Sequence, residues 1–203
     1  MPSERELLEA WAGGDMDAAA ALYRRHIDGV SRFFLSKVDD GADDLVQRTF
    51  EACVKFRARL QHVSSFRAYV FTIARNELYA WVRRRRSDTS FDSMVLCIAD
   101  AGPSPSAAAA AAQDQQRLLA ALRGLPIDLQ MTLELYYWEQ LSTEELAEVL
   151  SIPRGTVKSR LFRAREALRE RLGELDETGI EDTMTRLTDW AKAVRREAPD
   201  GSQ

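Results

Sequence analysis

At 203 residues the chain is longer than one average domain and short for three, so two compact units with a connector are expected. Its composition, 45% hydrophobic and 30% charged, is that of a globular protein. No run approaches the roughly 20 apolar residues of a membrane span, and the charged stretch Met1 to Glu9 does not read as a secretory signal, so the expectation is a cytoplasmic protein without membrane insertion.

Cys53 and Cys97 have no metal-ligand or redox spacing, and His26 and His62 stand far apart, so neither metal nor cofactor is expected. The net charge of −4 would disfavour a nucleic-acid binder if it were spread evenly. Instead Arg83, Arg84, Arg85 and Arg86 form one basic block, and Arg154, Lys158, Arg160, Arg163, Arg165, Arg169 and Arg171 form another. Acids gather at Asp39 to Asp44 and at Glu174 to Asp182, leaving two cationic patches on an acidic body and suggesting two separate DNA contacts.

The first domain is placed at residues 1–86 and reads as helix throughout, with apolar positions recurring at three and four residues. Leu22, Ile27, Val30, Phe33 and Phe34 make one buried stripe. Asp43 or Asp44 is the expected cap of a following helix, which carries Leu45, Thr49, Ala52, Cys53 and Phe56 on one face. Asp44, Gln47, Arg48, Glu51 and Lys55 share its opposite, polar face. A third helix is expected from Ser64 or Ser65 to the arginine block, with Thr72, Asn76, Tyr79 and Arg83 on one side and Val70, Ala74 and Trp81 on the other.

From 87 to 112 the pattern gives way to Ser, Asp, Gly, Pro and alanine, read as a flexible linker with a short apolar stretch, Met94 to Ile98. The second domain, 113–173, holds a helix ending near Gly124, a break at Leu125 and Pro126, and an apolar helix through Leu133, Leu135, Tyr136 and Trp138. Ser142 and Glu145 then form a capping box that starts a short helix, Thr143 to Leu150. Ser151, Ile152 and Pro153 make a tight turn into a long basic helix, the parts of a helix-turn-helix.

In that last helix Val157, Leu161, Ala164 and Leu168 are assigned to the core. Thr156, Ser159, Arg160 and Arg163 are assigned to base edges, and Arg154, Lys158, Arg165 and Arg169 to phosphates. Beyond it, 174–203 is a tail in which Ile180, Met184, Leu187, Trp190 and Val194 trace an amphipathic face, either packed on the second domain or regulatory.

Three strings carry a family resemblance: Ala42-Asp43-Asp44-Leu45-Val46-Gln47-Arg48-Thr49-Phe50, then Ile73-Ala74-Arg75-Asn76, then Gly155-Thr156-Val157-Lys158-Ser159-Arg160 followed by Arg163-Ala164-Arg165. In this order, with the Pro-containing linker between them, they resemble the extracytoplasmic-function (ECF) sigma factors of the sigma-70 family. The resemblance implies an all-α protein in which a region 2 helical bundle and a region 4 helix-turn-helix are joined by a flexible linker. It implies no enzymatic activity, and core RNA polymerase, promoter DNA and an anti-sigma factor as partners.

By the same resemblance, Asp44, Leu45, Gln47, Arg48 and Glu51 would hold core polymerase. Arg59, Gln61, Ser64, Asn76, Tyr79, Arg83 and Arg84 would engage the minus-ten element, and Arg154, Thr156, Lys158, Ser159, Arg160 and Arg163 the minus-thirty-five element. Phe66 and Tyr69 are either base-stacking aromatics or core. Ala80 stands where many relatives carry Asp.

Three other readings are weighed against this one. A response-regulator-like or one-component regulator needs a sensing domain of alternating strands and helices, which the first 86 residues do not show. A helical hydrolase using Asp39, Asp40, Asp43 and Asp44 with a metal lacks the histidines or helix-spaced carboxylates of a site. A pure interaction module is disfavoured by the two basic patches.

Overall fold

The computed structural model describes residues 2–63, 65–85 and 117–173. The linker 87–112 and the tail 174–203, with the readings made on them, lie outside the described residues, as do Ser64 and Arg86. Among the described residues every regular element is a helix. They are α1 (Glu4–Ala12), α2 (Met16–Leu35), α3 (Ala42–Lys55), a 3-10 turn (Arg57–His62) and α4 (Phe66–Arg85), then α5 described over 117–123, α6 (Ile127–Tyr137), α7 (Thr143–Leu150) and α8 (Arg154–Leu172). They group into two compact units, one holding α1 to α4 with α7, the other α5, α6 and α8.

Helix starts follow local chemistry. α1 begins with a capping box in which the Ser3 side chain accepts the Glu6 amide and the Glu6 carboxylate accepts the Ser3 amide. Asp15 caps α2 by accepting from the Asp17 and Ala18 amides. α3 departs from expectation: neither Asp43 nor Asp44 caps it. Its N-cap is Gly41, in the left-handed region at φ 76°, a conformation that glycine adopts without the steric cost of a Cβ. Both aspartates lie in the first turn, where they still favour the positive end of the helix dipole.

In the first unit α2, α3 and α4 pack on one another, and Leu22, Val30, Phe33 and Phe34 of α2, Leu45 of α3 and Phe66, Val70, Phe71, Ala74 and Leu78 of α4 are all buried. The Phe33 and Phe71 rings meet edge to face at 5.8 Å. Ile27, assigned to this stripe, is half-buried, and Phe56, assigned to the inner face of α3, is exposed. Phe56 ends α3 as its C-cap, so it has left the helical register that the spacing assumed.

The buried Lys37 closes α2: its Nζ donates to the Phe33 carbonyl at 2.8 Å and to Ser36 Oγ at 3.0 Å, and lies over the Phe33 ring. Within the same unit α7 packs on α4. Ser65 Oγ donates to Glu145 at 2.8 Å, and Arg75 donates to the Val149 carbonyl and to Ser151 Oγ.

In the second unit Leu118, Leu122, Leu125, Leu133 and Trp138 surround Ala164 and Leu168 of α8. Every residue from Ile127 to Leu135 is buried, so α6 has no solvated face. The capping box expected at Ser142 and Glu145 is present, with both reciprocal hydrogen bonds made. α7 ends at Ser151 in the left-handed region, which reverses the chain ahead of Pro153 and α8.

Candidate nucleic-acid interface

α8 carries the sharpest division between faces. Val157, Leu161, Ala164 and Leu168 are buried, as the spacing predicts. Lys158, Ser159, Phe162 and Arg163 are exposed along the other side and Thr156 is half-buried, so the N-terminal half of the helix presents a hydroxyl, two cations and an aromatic ring to solvent. Phe162 is 64% exposed, and reading the sequence missed it. The available signal was its place four residues beyond Lys158 and three beyond Ser159, which puts it on their face.

Three cations expected to meet DNA are held by the protein. Arg160 is buried, and its Nη1 lies 3.6 Å from Asp128 Oδ2 of α6. Three residues after Val157 and four before Ala164, it falls within the buried stripe, so its assignment to base edges is corrected to an internal ion pair. Arg165 Nε donates to the Tyr137 hydroxyl at 2.8 Å, with the guanidinium against the rings of Tyr136 and Tyr137. Arg169 is paired with Glu166 within α8. Arg154 is exposed and paired with Glu144.

In the first unit the side of α4 expected to meet DNA holds Thr72, Asn76, Tyr79 and Arg83, with Asn76 and Arg83 exposed and the other two half-buried. Asn76 Oδ1 accepts from the neighbouring Arg75 at 2.9 Å. Arg84 is exposed. Arg85 is taken by Asp40, both oxygens of which lie 2.7 Å from its Nη2, and its guanidinium stacks over Trp81. Phe66 is core, in edge-to-face contact with Trp11 and His26, which decides against stacking on a base. Arg59 is exposed and lies over the Phe56 ring, 4.8 Å from its centroid. The side chain of Gln61, like Ser64, lies outside what the structure describes.

The outer side of α3 is polar and solvent-facing. Asp44 pairs with Arg48 at 2.9 Å, and Gln47 donates to Glu51 at 2.7 Å, both one helical turn apart. Leu45 is corrected: it is fully buried and supports this face from behind. Beside the polar row runs an open groove of about 680 Å³ between α2 and α3, with Tyr23, Ile27, Val46, Phe50 and Val54 as its apolar lining. Gln47, Glu51 and Lys55 stand along it. Exposed apolar side chains rimmed by polar ones are the usual anatomy of a protein contact.

Two groups show how the interior differs from these faces. Burial pushes the Cys53 thiol up to about 12, which leaves it an inert core residue. The Glu145 carboxyl is lowered, because hydrogen bonds from Ser142 and Ser65 and the nearby Arg67 outweigh burial, which acts to raise it. Among the described residues no group of three His, Cys, Asp or Glu side chains is arranged for a metal ion, and no helix is long and apolar enough to cross a membrane.

Two family models match the chain, sigma-70 region 2 over residues 22–88 and sigma-70 region 4 over 115–168. RNA polymerase sigma factor CarQ of Myxococcus xanthus is 31% identical over 171 residues, which are 83% of this chain and 97% of that one. The ECF sigma factor SigM of Bacillus subtilis is 28% identical, over 73% of this chain and 91% of its own. Among solved structures, the sigma factor RpoE of Bartonella quintana, in complex with the anti-sigma factor NepR, is 29% identical and superposes with a TM-score of 0.56 over 78% of this chain and 96% of that one. The chain belongs to the ECF group of the sigma-70 family, helical transcription initiation factors that direct RNA polymerase to promoters.

Proposed function

We propose that residues 1–86 and 113–173 act as two separate promoter-binding modules, with 87–112 as the connector between them. The exposed row Lys158, Ser159, Phe162 and Arg163 on α8 reads the minus-thirty-five duplex, with Thr156 at its edge and Arg154 on a phosphate. Arg59, Asn76, Tyr79, Arg83 and Arg84 hold the unwound minus-ten strand, together with Gln61 and Ser64. Opening DNA exposes bases that protein groups hold at roughly 1–3 kcal/mol each, so binding supplies the free energy of melting and the factor works without cofactor or hydrolysis.

Core polymerase is assigned to the α3 row Asp44, Gln47, Arg48 and Glu51 and the apolar groove beside it. An anti-sigma factor is a further partner, as in the Bartonella complex, and the site of action is the cytoplasm. The observation carrying this reading is the clean division of α8, four apolar residues inward and a mixed cationic, hydroxyl and aromatic row outward.

The test is to combine the full chain with core RNA polymerase from a related bacterium, select promoter DNA from a random pool and follow run-off transcription. The expected result is a transcript that depends on this chain and on two separated DNA motifs. Absence of any dependent transcript overturns the reading.

A further inference from the structure

α1 lies before the stretch matched by the region 2 family model, which begins at residue 22, yet it is tied to the segment proposed above to capture the unwound strand. Glu4, the first residue of α1, reaches the N-terminus of α4, where Oε1 accepts the Phe66 amide at 3.0 Å and the Arg67 amide adds a second hydrogen bond. Its other oxygen, Oε2, meets Nε2 of the buried His26 of α2 at 3.0 Å.

The Phe66 ring is boxed by the same elements, edge to face with Trp11 of α1 at 5.7 Å and with His26 at 5.3 Å. α1 also packs on the 3-10 turn Arg57–His62, in which Leu60 is buried. α1 therefore touches both the 3-10 turn and the first residues of α4.

The first amides of a helix have no partner within it, so they are the points at which its start can be moved or held. Ser65 caps α4 locally by accepting the Ala68 amide at 3.2 Å, while Glu4 takes the amides of Phe66 and Arg67 from 62 residues away in the sequence. A carboxylate at this position also meets the positive end of the α4 dipole.

We propose that Glu4 is a positioning residue for strand capture: as a tertiary cap on α4, joined to α2 through His26, it sets where the start of α4 sits. The proposal rests on the assignment of that part of the chain to the minus-ten strand.

The test uses the full chain with core polymerase on the selected promoter, comparing core affinity, the rate of promoter opening read by permanganate reactivity of unpaired thymines, and hydrogen exchange at the Phe66 and Arg67 amides. Glu4→Ala is expected to slow opening by roughly fivefold to tenfold, the factor equivalent to the stability an ordinary helix cap contributes, with core affinity unchanged and both amides exchanging faster. Glu4→Gln should restore opening, since its amide oxygen still accepts from Phe66 and its NH2 donates to His26 Nε2 once the neutral imidazole carries its proton on Nδ1. Glu4→Asp keeps the charge but is one methylene short, and should open slowly while remaining folded.

Wild-type opening in Glu4→Ala or Glu4→Asp, failure of Glu4→Gln to restore opening, or a parallel loss of core affinity overturns the proposal. If the unaltered chain opens no promoter, the functional reading falls instead, and amide exchange still decides whether Glu4 holds α4.

Discussion

Arg160 and Asp128 form an ion pair inside the second unit, Nη1 to Oδ2 at 3.6 Å, with side chains only 11% and 7% exposed. Taking either partner away breaks a buried ion pair, a change that costs about 3–5 kcal/mol in typical cases. Arg160→Ala and Asp128→Ala are therefore expected to lower the unfolding midpoint in urea by similar amounts, and replacing both together by apolar residues of similar volume should recover much of the loss. A normal midpoint in Arg160→Ala, with promoter binding alone impaired, would return this residue to the DNA face.

On the exposed side of α8, Arg163→Ala is expected to weaken minus-thirty-five binding by about 1–3 kcal/mol, and Lys158→Ala to reduce the salt dependence by about one released counterion. Phe162→Ala should also weaken binding, because an exposed ring in this row is available to pack on DNA. Equilibrium binding to the isolated duplex element at several salt concentrations separates the three. Unchanged affinity in Phe162→Ala would leave the ring without a DNA role.

The α3 surface makes a contrasting pair of predictions. Asp44→Arg or Val54→Asp, both at exposed positions, should reduce association with core polymerase while leaving the melting temperature near that of the parent chain. Leu45→Ala should instead cost about 2–5 kcal/mol of stability, as expected for a fully buried leucine. A pull-down paired with thermal unfolding distinguishes the two, and undiminished association of Asp44→Arg would remove α3 from the polymerase contact.

The Glu4 carboxyl is held below the usual carboxylate value of 4.5, first by its hydrogen bond to His26 and then by that residue's charge and the Arg67 and Phe66 amides, against the opposing effect of burial. A group whose value is depressed on folding contributes stability that is complete above its unfolded value and is lost as pH falls through the folded one. The stability difference between the parent chain and Glu4→Gln should thus be full at neutral pH and shrink as the solution is taken below 4.5. A difference that stays constant into acid would show that the carboxylate charge contributes nothing.

What was readable in the sequence follows from how far apart partners lie. The capping box at Ser142 and Glu145 was legible because both partners fall within one turn. The inward row Val157, Leu161, Ala164 and Leu168 was legible because periodicity reports apolar side chains directly. Arg160 was not, since an arginine on an inner face looks like any surface cation until Asp128 is brought to it by the packing of α6 on α8. Leu45 was joined to a polar contact by a matched string although its own helical position is interior. The junction of Glu4, His26 and Phe66 spans three helices and leaves no local pattern at all.

Arg85 and Asp40 change what the basic end of α4 is worth. A phosphate that captured this guanidinium would free no bound cation from DNA without also stranding an aspartate in water, so the exchange is close to electrically neutral. If this end of α4 meets nucleic acid as proposed, its pull on a phosphate is smaller than a tally of consecutive arginines implies, because one of the guanidiniums already has a carboxylate to satisfy.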